Sequence, residues 1–129
     1  MTSLRNWPTV AEIQEKVCPR FDVSRSDLIG PARRRQLARP RQFAMFLARR
    51  LTPNSTCEIG RRFGGRNHST VIHGLRVIDG IVSAAADQLA GIDCVVVAAA
   101  AEIEAELREE NRQRAATIRR LLAEETKAL

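Results

Sequence analysis

The sequence predicts an all-α chain: a helix-turn-helix domain followed by a long helical extension. Three observations lead there. Apolar residues recur at helical rather than alternating spacing, as in Val10, Ile13 and Val17 or Phe43, Phe46 and Leu47. Capping patterns mark three helix starts, at Thr9, Ser24 and Ser55. A glycine pair, Gly64-Gly65, divides a short helical segment from a longer one whose first turn is polar.

Residues 1–8 read as a flexible lead. Thr9-Val10-Ala11-Glu12 is a capping box, so an amphipathic helix runs from there to about Cys18, where Pro19 is expected to stop it. Ser24-Arg25-Ser26-Asp27 repeats the pattern, and Gly30-Pro31 keeps that second helix short. Next comes a basic segment, Ala32 to Arg39, with Arg33, Arg34, Arg35 and Arg39 and no acid. It is either a solvated basic turn or a loop that touches phosphates and sends one Arg into a minor groove. Pro40 suits the first turn of a central scaffold helix whose apolar face is Phe43, Ala44, Phe46, Leu47 and Leu51. The two Phe could be stacking platforms for bases, but at this spacing core packing is the stronger reading.

Ser55-Thr56-Cys57-Glu58 begins a helix to about Phe63, closed by the glycine pair; Asn67 then caps the next helix, whose apolar set is Val71, Ile72, Leu75 and Ile78. A short helix, a tight turn and a longer helix with a polar first turn make a helix-turn-helix, in which that last helix enters the major groove. There Asn67 could read adenine, Ser69 could bond a donor or an acceptor, and the methyl of Thr70 could meet a thymine methyl. His68 could equally be structural, and Asn67 simply a cap. Ile81 to Leu89 can prolong this helix before Gly91 interrupts. From Ala98 to Leu129 helix propensity is high, and an apolar stripe that starts earlier, Ile92, Val96, Ala99, Ile103 and Leu107, resumes at Ile118, Leu121 and Leu122. Residues 92–129 thus form either a single amphipathic helix packed on the domain or left partly free, or an arm for a homodimer or another protein partner. The expected boundaries are 9–82 for the domain and 83–129 for the extension.

Charge supports a nucleic-acid partner. The 129 residues carry a formal net charge of +6. Met1 to Gly80 holds 15 Lys or Arg against 6 Asp or Glu, whereas Ile81 to Leu129 holds 6 against 9. The positive field therefore belongs to the helix-turn-helix part, and it is nearly all Arg, whose planar fork suits phosphates and guanine edges. Cys18, Cys57 and Cys94 are widely spaced with no Cys-x-x-Cys pair, which argues against a zinc site or a disulfide scaffold and reads as partly buried small hydrophobes. The apolar run Cys94 to Ala101 is too short for a membrane span, and no signal-peptide pattern is present, so a cytoplasmic, nucleoid-associated protein is expected.

The segment Ala38-Arg39-Pro40-Arg41-Gln42, then Ala44-Met45, Leu47-Ala48-Arg49, Glu58-Ile59-Gly60, Phe63-Gly64-Gly65-Arg66 and His68-Ser69-Thr70-Val71 resembles the C-terminal DNA-binding domain, domain IV, of the bacterial replication initiator DnaA. The resemblance covers roughly Val10 to Val82 and implies a Trp-repressor-like helix-turn-helix fold that binds double-stranded DNA at a nonamer DnaA box. It puts Arg33 in the minor groove and Asn67, His68, Ser69 and Thr70 at or near base edges in the major groove. It places Thr56 and Cys57 where the preceding helix abuts the DNA. Arg34, Arg35, Arg41, Arg49, Arg66 and His73 fall at backbone or supporting positions. Two residues depart from the family pattern: Asn67 stands where Asp is usual, exchanging a pure acceptor for a group that also donates, and Ser69 stands where Thr is usual, losing a methyl.

The initiator's ATPase needs a Gly-x-x-x-x-Gly-Lys-Ser/Thr loop, and these 129 residues contain none. With only His68 and His73 as histidines and no plausible catalytic set, neither an enzyme nor a nucleotide, metal or other cofactor is expected. The expectation is a sequence-specific DNA binder that regulates replication initiation or transcription, of bacterial or phage origin. The competing expectation is a helical interaction adaptor with weak, non-specific DNA contact.

Overall fold

The computed structural model describes residues 7–31, 34–84 and 86–127. Six α-helices and one short 3-10 turn make up the fold, with no strand among the described residues. They are α1 (Val10–Phe21), α2 (Arg25–Ile29), α3 (Arg35–Leu51), α4 (Thr56–Arg62), α5 (His68–Ser83) and α6 (Ile92–Lys127), the 3-10 turn being Ala86–Gln88.

The expected caps form. Thr9 accepts from the Glu12 N–H, Ser24 from that of Asp27, and Ser55 from that of Glu58. Each oxygen satisfies one of the donors a helix leaves unpaired at its start, typically stabilising it by about 1 kcal/mol. The prolines behave differently from expectation. Pro19 lies inside α1, which runs to Phe21 and ends at Asp22 in a left-handed conformation, φ 52°. Pro40 lies inside α3, which begins five residues earlier, so Arg35 and Arg39 are helical rather than part of a loop. Each proline forfeits one bond to the residue four before it, Glu15 or Gln36, and both of these are exposed, where water can take the carbonyl. Tertiary packing supplies the rest: Val17, Cys18, Pro40 and Phe43 beside these sites are buried.

Helix α3 is the scaffold. Its buried residues Phe43, Ala44, Met45, Leu47 and Ala48 meet Ile13 and Val17 of α1, Ile59 of α4, and Val71 and Ile78 of α5 in one core. Phe21 sets its ring edge-on to Phe43 at 5.7 Å. At the α3–α5 crossing a Cβ on Gly74 would sit 3.2–3.5 Å from Gln42, so glycine lets the two backbones approach closely. Gln14 is buried but satisfied: its amide donates to the Arg62 carbonyl at 3.0 Å and its oxygen accepts from Arg25 at 3.0 Å.

The expected prolongation of α5 to Leu89 stops at Ser83. After Gly91, with φ 58°, α6 folds back on α1, α3 and α5 and buries Val96, Ala99, Ile103 and Leu107. The two ends of the expected stripe stay out of this core. Ile92 is exposed, and Leu121 and Leu122 are 51% and 52% exposed. The acidic first half of α6 has a definite task. Asp93 pairs with Arg39 at 2.9 Å, Glu104 with Arg50, Glu102 and Glu106 with Arg20, and Glu110 with Lys16 at 2.7 Å. It neutralises Lys16 and Arg20 of α1 and Arg39 and Arg50 of α3.

A candidate nucleic-acid interface

Helices α4 and α5 meet across a turn that has no room for a side chain at Gly60 or Gly64. Phe63 is buried at the end of α4, and Gly64 and Gly65 follow with φ of 82° and 76°. The Arg66 N–H then returns to the Gly60 carbonyl at 2.9 Å. A Cβ on Gly60 would lie 2.1 Å from the Arg66 carbonyl oxygen, and one on Gly64 would lie 2.0 Å from that of Ile29. The turn is thus pressed against both its own helix and the end of α2.

Two arginines fix this turn to the α2–α3 loop. Arg66 donates to the Phe63 carbonyl and, at 2.9 Å, to that of Gly30. Arg41, buried, donates to the carbonyls of Leu28 at 2.8 Å, Asp27 at 2.7 Å and Gly30 at 3.4 Å. A five-residue helix leaves its last carbonyls unbonded, and the guanidinium of Arg41 serves them from α3. Burial, and then the nearby charge of Arg66, lower the pKa of Arg41 from its ordinary value. Both arginines therefore hold the scaffold together. The loop they clamp at Gly30 carries Arg33, which lies outside the described residues.

The first turn of α5 points into solvent: Asn67, His68, Ser69 and Thr70 are all exposed, and His73 is exposed one turn on. Asn67 is the N-cap, and its geometry narrows its chemistry. The side-chain oxygen accepts from the Thr70 N–H at 3.0 Å and from the Thr70 hydroxyl at 3.1 Å. Because both partners donate, the oxygen and not the nitrogen must face them, which leaves the amide NH2 directed away from the cap as a donor. Reading adenine with both amide atoms would require giving up the cap.

The remaining candidates surround this turn in different states. Thr56 is partly buried and Cys57 exposed at the start of α4. Arg34 is exposed but paired with Asp27 at 3.0 Å. Arg35 and Arg49 are exposed and make no ion pair among the described residues. Helix α3 has neither a side-chain cap nor an acid in its first turn. Cations at a helix N-terminus are electrostatically unfavourable, and with Arg34 compensated by Asp27 it is Arg35 that leaves a local positive excess suited to an anion.

Sequence reasoning passed over Arg76. It is exposed, lies three residues beyond His73 on the face that begins at Ser69, and lines a groove between α3 and α5 with Phe46, Arg49, Leu75 and Asp79. The 4-then-3 spacing from Ser69 was the available signal. The cysteines also differ from expectation: Cys18 is buried, and that burial raises its thiol pKa, but Cys57 and Cys94 are exposed. No helix among the described residues is long and apolar enough to cross a membrane.

A model of the family described as the bacterial dnaA protein helix-turn-helix matches residues 10–78, all of α1 to α4 and most of α5. Among curated proteins, the chromosomal replication initiator protein DnaA of Cereibacter sphaeroides is 55% identical over 75 residues, covering 58% of this chain and 16% of that protein. The DnaA of Ruegeria sp. strain TM1040 is 58% identical over 71 residues, 55% of this chain and 15% of that protein. That of Sphingopyxis alaskensis is 53% identical over 79 residues, 61% of this chain and 17% of that protein. The chain spans about one sixth of the length of these relatives, and the match leaves α6 beyond its end.

Proposed function

We propose, since the chain belongs to the bacterial DnaA helix-turn-helix family, that it binds duplex DNA sequence-specifically at sites like the DnaA box and regulates replication initiation or transcription without ATPase activity of its own. The observation that carries this reading is the exposed polar first turn of α5, held through Arg66 and Arg41 to the loop that bears Arg33. In this reading His68, Ser69, Thr70 and the amide NH2 of Asn67 address base edges in the major groove, and Arg33 enters the adjacent minor groove. Arg35, Arg49, His73 and Arg76 contact phosphates, Arg34 joins them by exchanging Asp27 for a phosphate, and Thr56 and Cys57 line the approach of α4. Such binding places the protein in the cytoplasm, on the nucleoid.

Electrophoretic mobility shift tests the reading, using a duplex with a DnaA box, a scrambled duplex and a salt series. The box duplex is expected to be retained to higher salt. Absence of retardation of either duplex at low salt would refute DNA binding, and equal retardation of both would leave only backbone contact. Arg33→Ala and His68→Ala are each expected to reduce discrimination by about 10- to 100-fold. Arg49→Ala and Arg76→Ala should weaken all duplexes alike and flatten the salt slope by about one unit each. Equal losses on every sequence from all four would overturn the assignment.

Asn67→Asp makes a separate test of base choice. Asp also caps, so thermal stability is expected to stay within about 0.5 kcal/mol of wild type. The outward donor, however, becomes an acceptor, so the selected site should change at one position from a base offering an acceptor to cytosine, whose amino group donates. An unbiased selection of bound duplexes that returns one site for both proteins would exclude Asn67 from base reading.

A further inference from the structure

Asp93 and Glu104 lie beyond the matched region, which ends at residue 78, yet both bear on the surface proposed to meet DNA. On α3, Arg35, Arg39, Gln42, Phe46 and Arg49 follow 4-3-4-3 spacing and so share one side of the helix, with Arg50 beside the last. From Arg35 to Arg49 the row spans roughly 21 Å. Its two ends border grooves. Arg49 and Arg50 line the α3–α5 groove together with Arg76, and Arg35 and Arg39 line a second groove between α3 and the start of α6.

The four arginines differ in their company. Arg35 and Arg49 make no ion pair among the described residues, whereas Arg39 is held by Asp93 at 2.9 Å and Arg50 by Glu104. In each groove, therefore, one arginine is open and its neighbour is occupied by an acid of α6. The Glu104 side chain is only 19% exposed against 53% for Arg50, so the arginine is the half of that pair that can turn away. Arg108, one turn further along α6, approaches the same carboxylate at 3.4 Å. Arg39 also donates to Gln42 at 2.9 Å, a neutral contact that does not depend on the charge of Asp93.

We propose that Asp93 and Glu104 are internal competitors for a phosphate backbone: they withhold Arg39 and Arg50, so that α6 sets how strongly the chain binds a polyanion while the first turn of α5 sets which sequence it prefers. A carboxylate offers a guanidinium the same kind of charged acceptor as a phosphate oxygen, and one tethered in the same chain is present at high effective concentration. Each withheld arginine is one phosphate contact fewer, which weakens binding to every sequence alike. The consequence for DNA rests on the duplex-binding reading, whereas the withholding of two cations does not.

Glu104→Gln and Asp93→Asn keep the size of each side chain and one amide oxygen, and remove only the charge. In mobility shifts over a salt series, each is expected to tighten the box and scrambled duplexes alike, by about three- to tenfold, and to steepen the salt slope by about 0.9. The double variant should show both gains. Glu124→Gln is the control. It makes the same change in net charge at an exposed residue roughly 30 Å along α6 from Glu104, beyond a screening length of about 8 Å, and should bind like wild type. Unchanged affinity and slope for Glu104→Gln, in a wild type that binds duplex, overturns the inference. So does an equal gain from Glu124→Gln, which would reduce the effect to net charge, and a gain confined to the box duplex, which would make Glu104 part of base reading. Elution from heparin, a polyanion without base sequence, should follow the same order: wild type with Glu124→Gln first, the single variants at higher salt, the double variant last. A chain that elutes in that order but retards no duplex would defeat the duplex-binding reading and leave the withholding intact. Elution of every variant with wild type would defeat the withholding itself.

Discussion

Replacing Gly64 with Ala is expected to lower stability by about 3–5 kcal/mol and to abolish specific duplex retention at temperatures where wild type binds. Two costs add. The residue sits at φ 82°, a backbone conformation L side chains rarely adopt, and that strain alone is worth about 1–2 kcal/mol. The larger cost is steric: the new Cβ would lie 2.0 Å from the Ile29 carbonyl oxygen, with that carbonyl carbon at 3.2 Å. Neither atom can yield as the end of a flexible side chain would, so the α4–α5 turn must lift away from α2. Gly65 provides an internal control. It has a similar φ, 76°, but nothing within 4 Å of its Cβ position, so Gly65→Ala should cost only the backbone strain, about 1–2 kcal/mol. Thermal unfolding by circular dichroism should therefore show a midpoint drop of about 10 °C or more for Gly64→Ala and a markedly smaller one for Gly65→Ala. Equal drops would mean that the contact with α2 does not constrain the turn.

Both glycines were legible in the sequence as turn residues, but only the structure separates them, because Ile29 lies 35 positions away and no local pattern encodes its carbonyl. The same division runs through the chain. Thr9, Ser24, Ser55 and Asn67 could be recognised as caps because a cap and its partner lie within one turn. The prolines misled for a related reason. A local rule ends a helix at Pro19 and begins one at Pro40, whereas the burial of residues on either side outweighs one lost bond per helix. The acidic run of α6 could be read as a different task from the basic domain, yet its partners, Lys16, Arg20, Arg39 and Arg50, are 54 to 94 positions distant. The apolar stripe of α6 was visible as one pattern, although the fold covers only its middle and leaves Ile92 at one end and Leu121 and Leu122 at the other exposed. At the candidate interface, spacing marked Asn67 as cap and reader together. The capping geometry assigns the oxygen to Thr70 and leaves the NH2 to solvent.

Arg41→Leu is expected to destabilise the domain by about 2–4 kcal/mol, although a buried cation is replaced by a hydrophobe of comparable bulk. Exchanging a buried charge for an apolar side chain can be neutral when its partners are exchanged as well. Here the partners are main-chain carbonyls of Asp27, Leu28 and Gly30, which stay when the guanidinium goes. Arg41→Lys should recover less than half of the loss, because a compact ammonium on an unbranched stem cannot reproduce a planar fork serving acceptors on both sides. Arg66→Gln should cost less than Arg41→Leu, because Arg66 is only partly buried and removing its charge relieves the repulsion that lowers the pKa of Arg41. The double variant should deviate from additivity, since both side chains meet at the Gly30 carbonyl and contacting residues commonly couple by about 0.5–3 kcal/mol. The DNA-binding consequence then separates clamping from folding. At a temperature where Arg41→Leu remains folded, the first turn of α5 keeps its cap at Asn67, but the entry to the loop bearing Arg33 has lost one of its two anchors. Discrimination between box and scrambled duplex should fall by about tenfold, while the salt slope, set by the number of phosphate contacts, should change little. A folded Arg41→Leu protein with undiminished discrimination would show that the two groove contacts are positioned independently of this arginine.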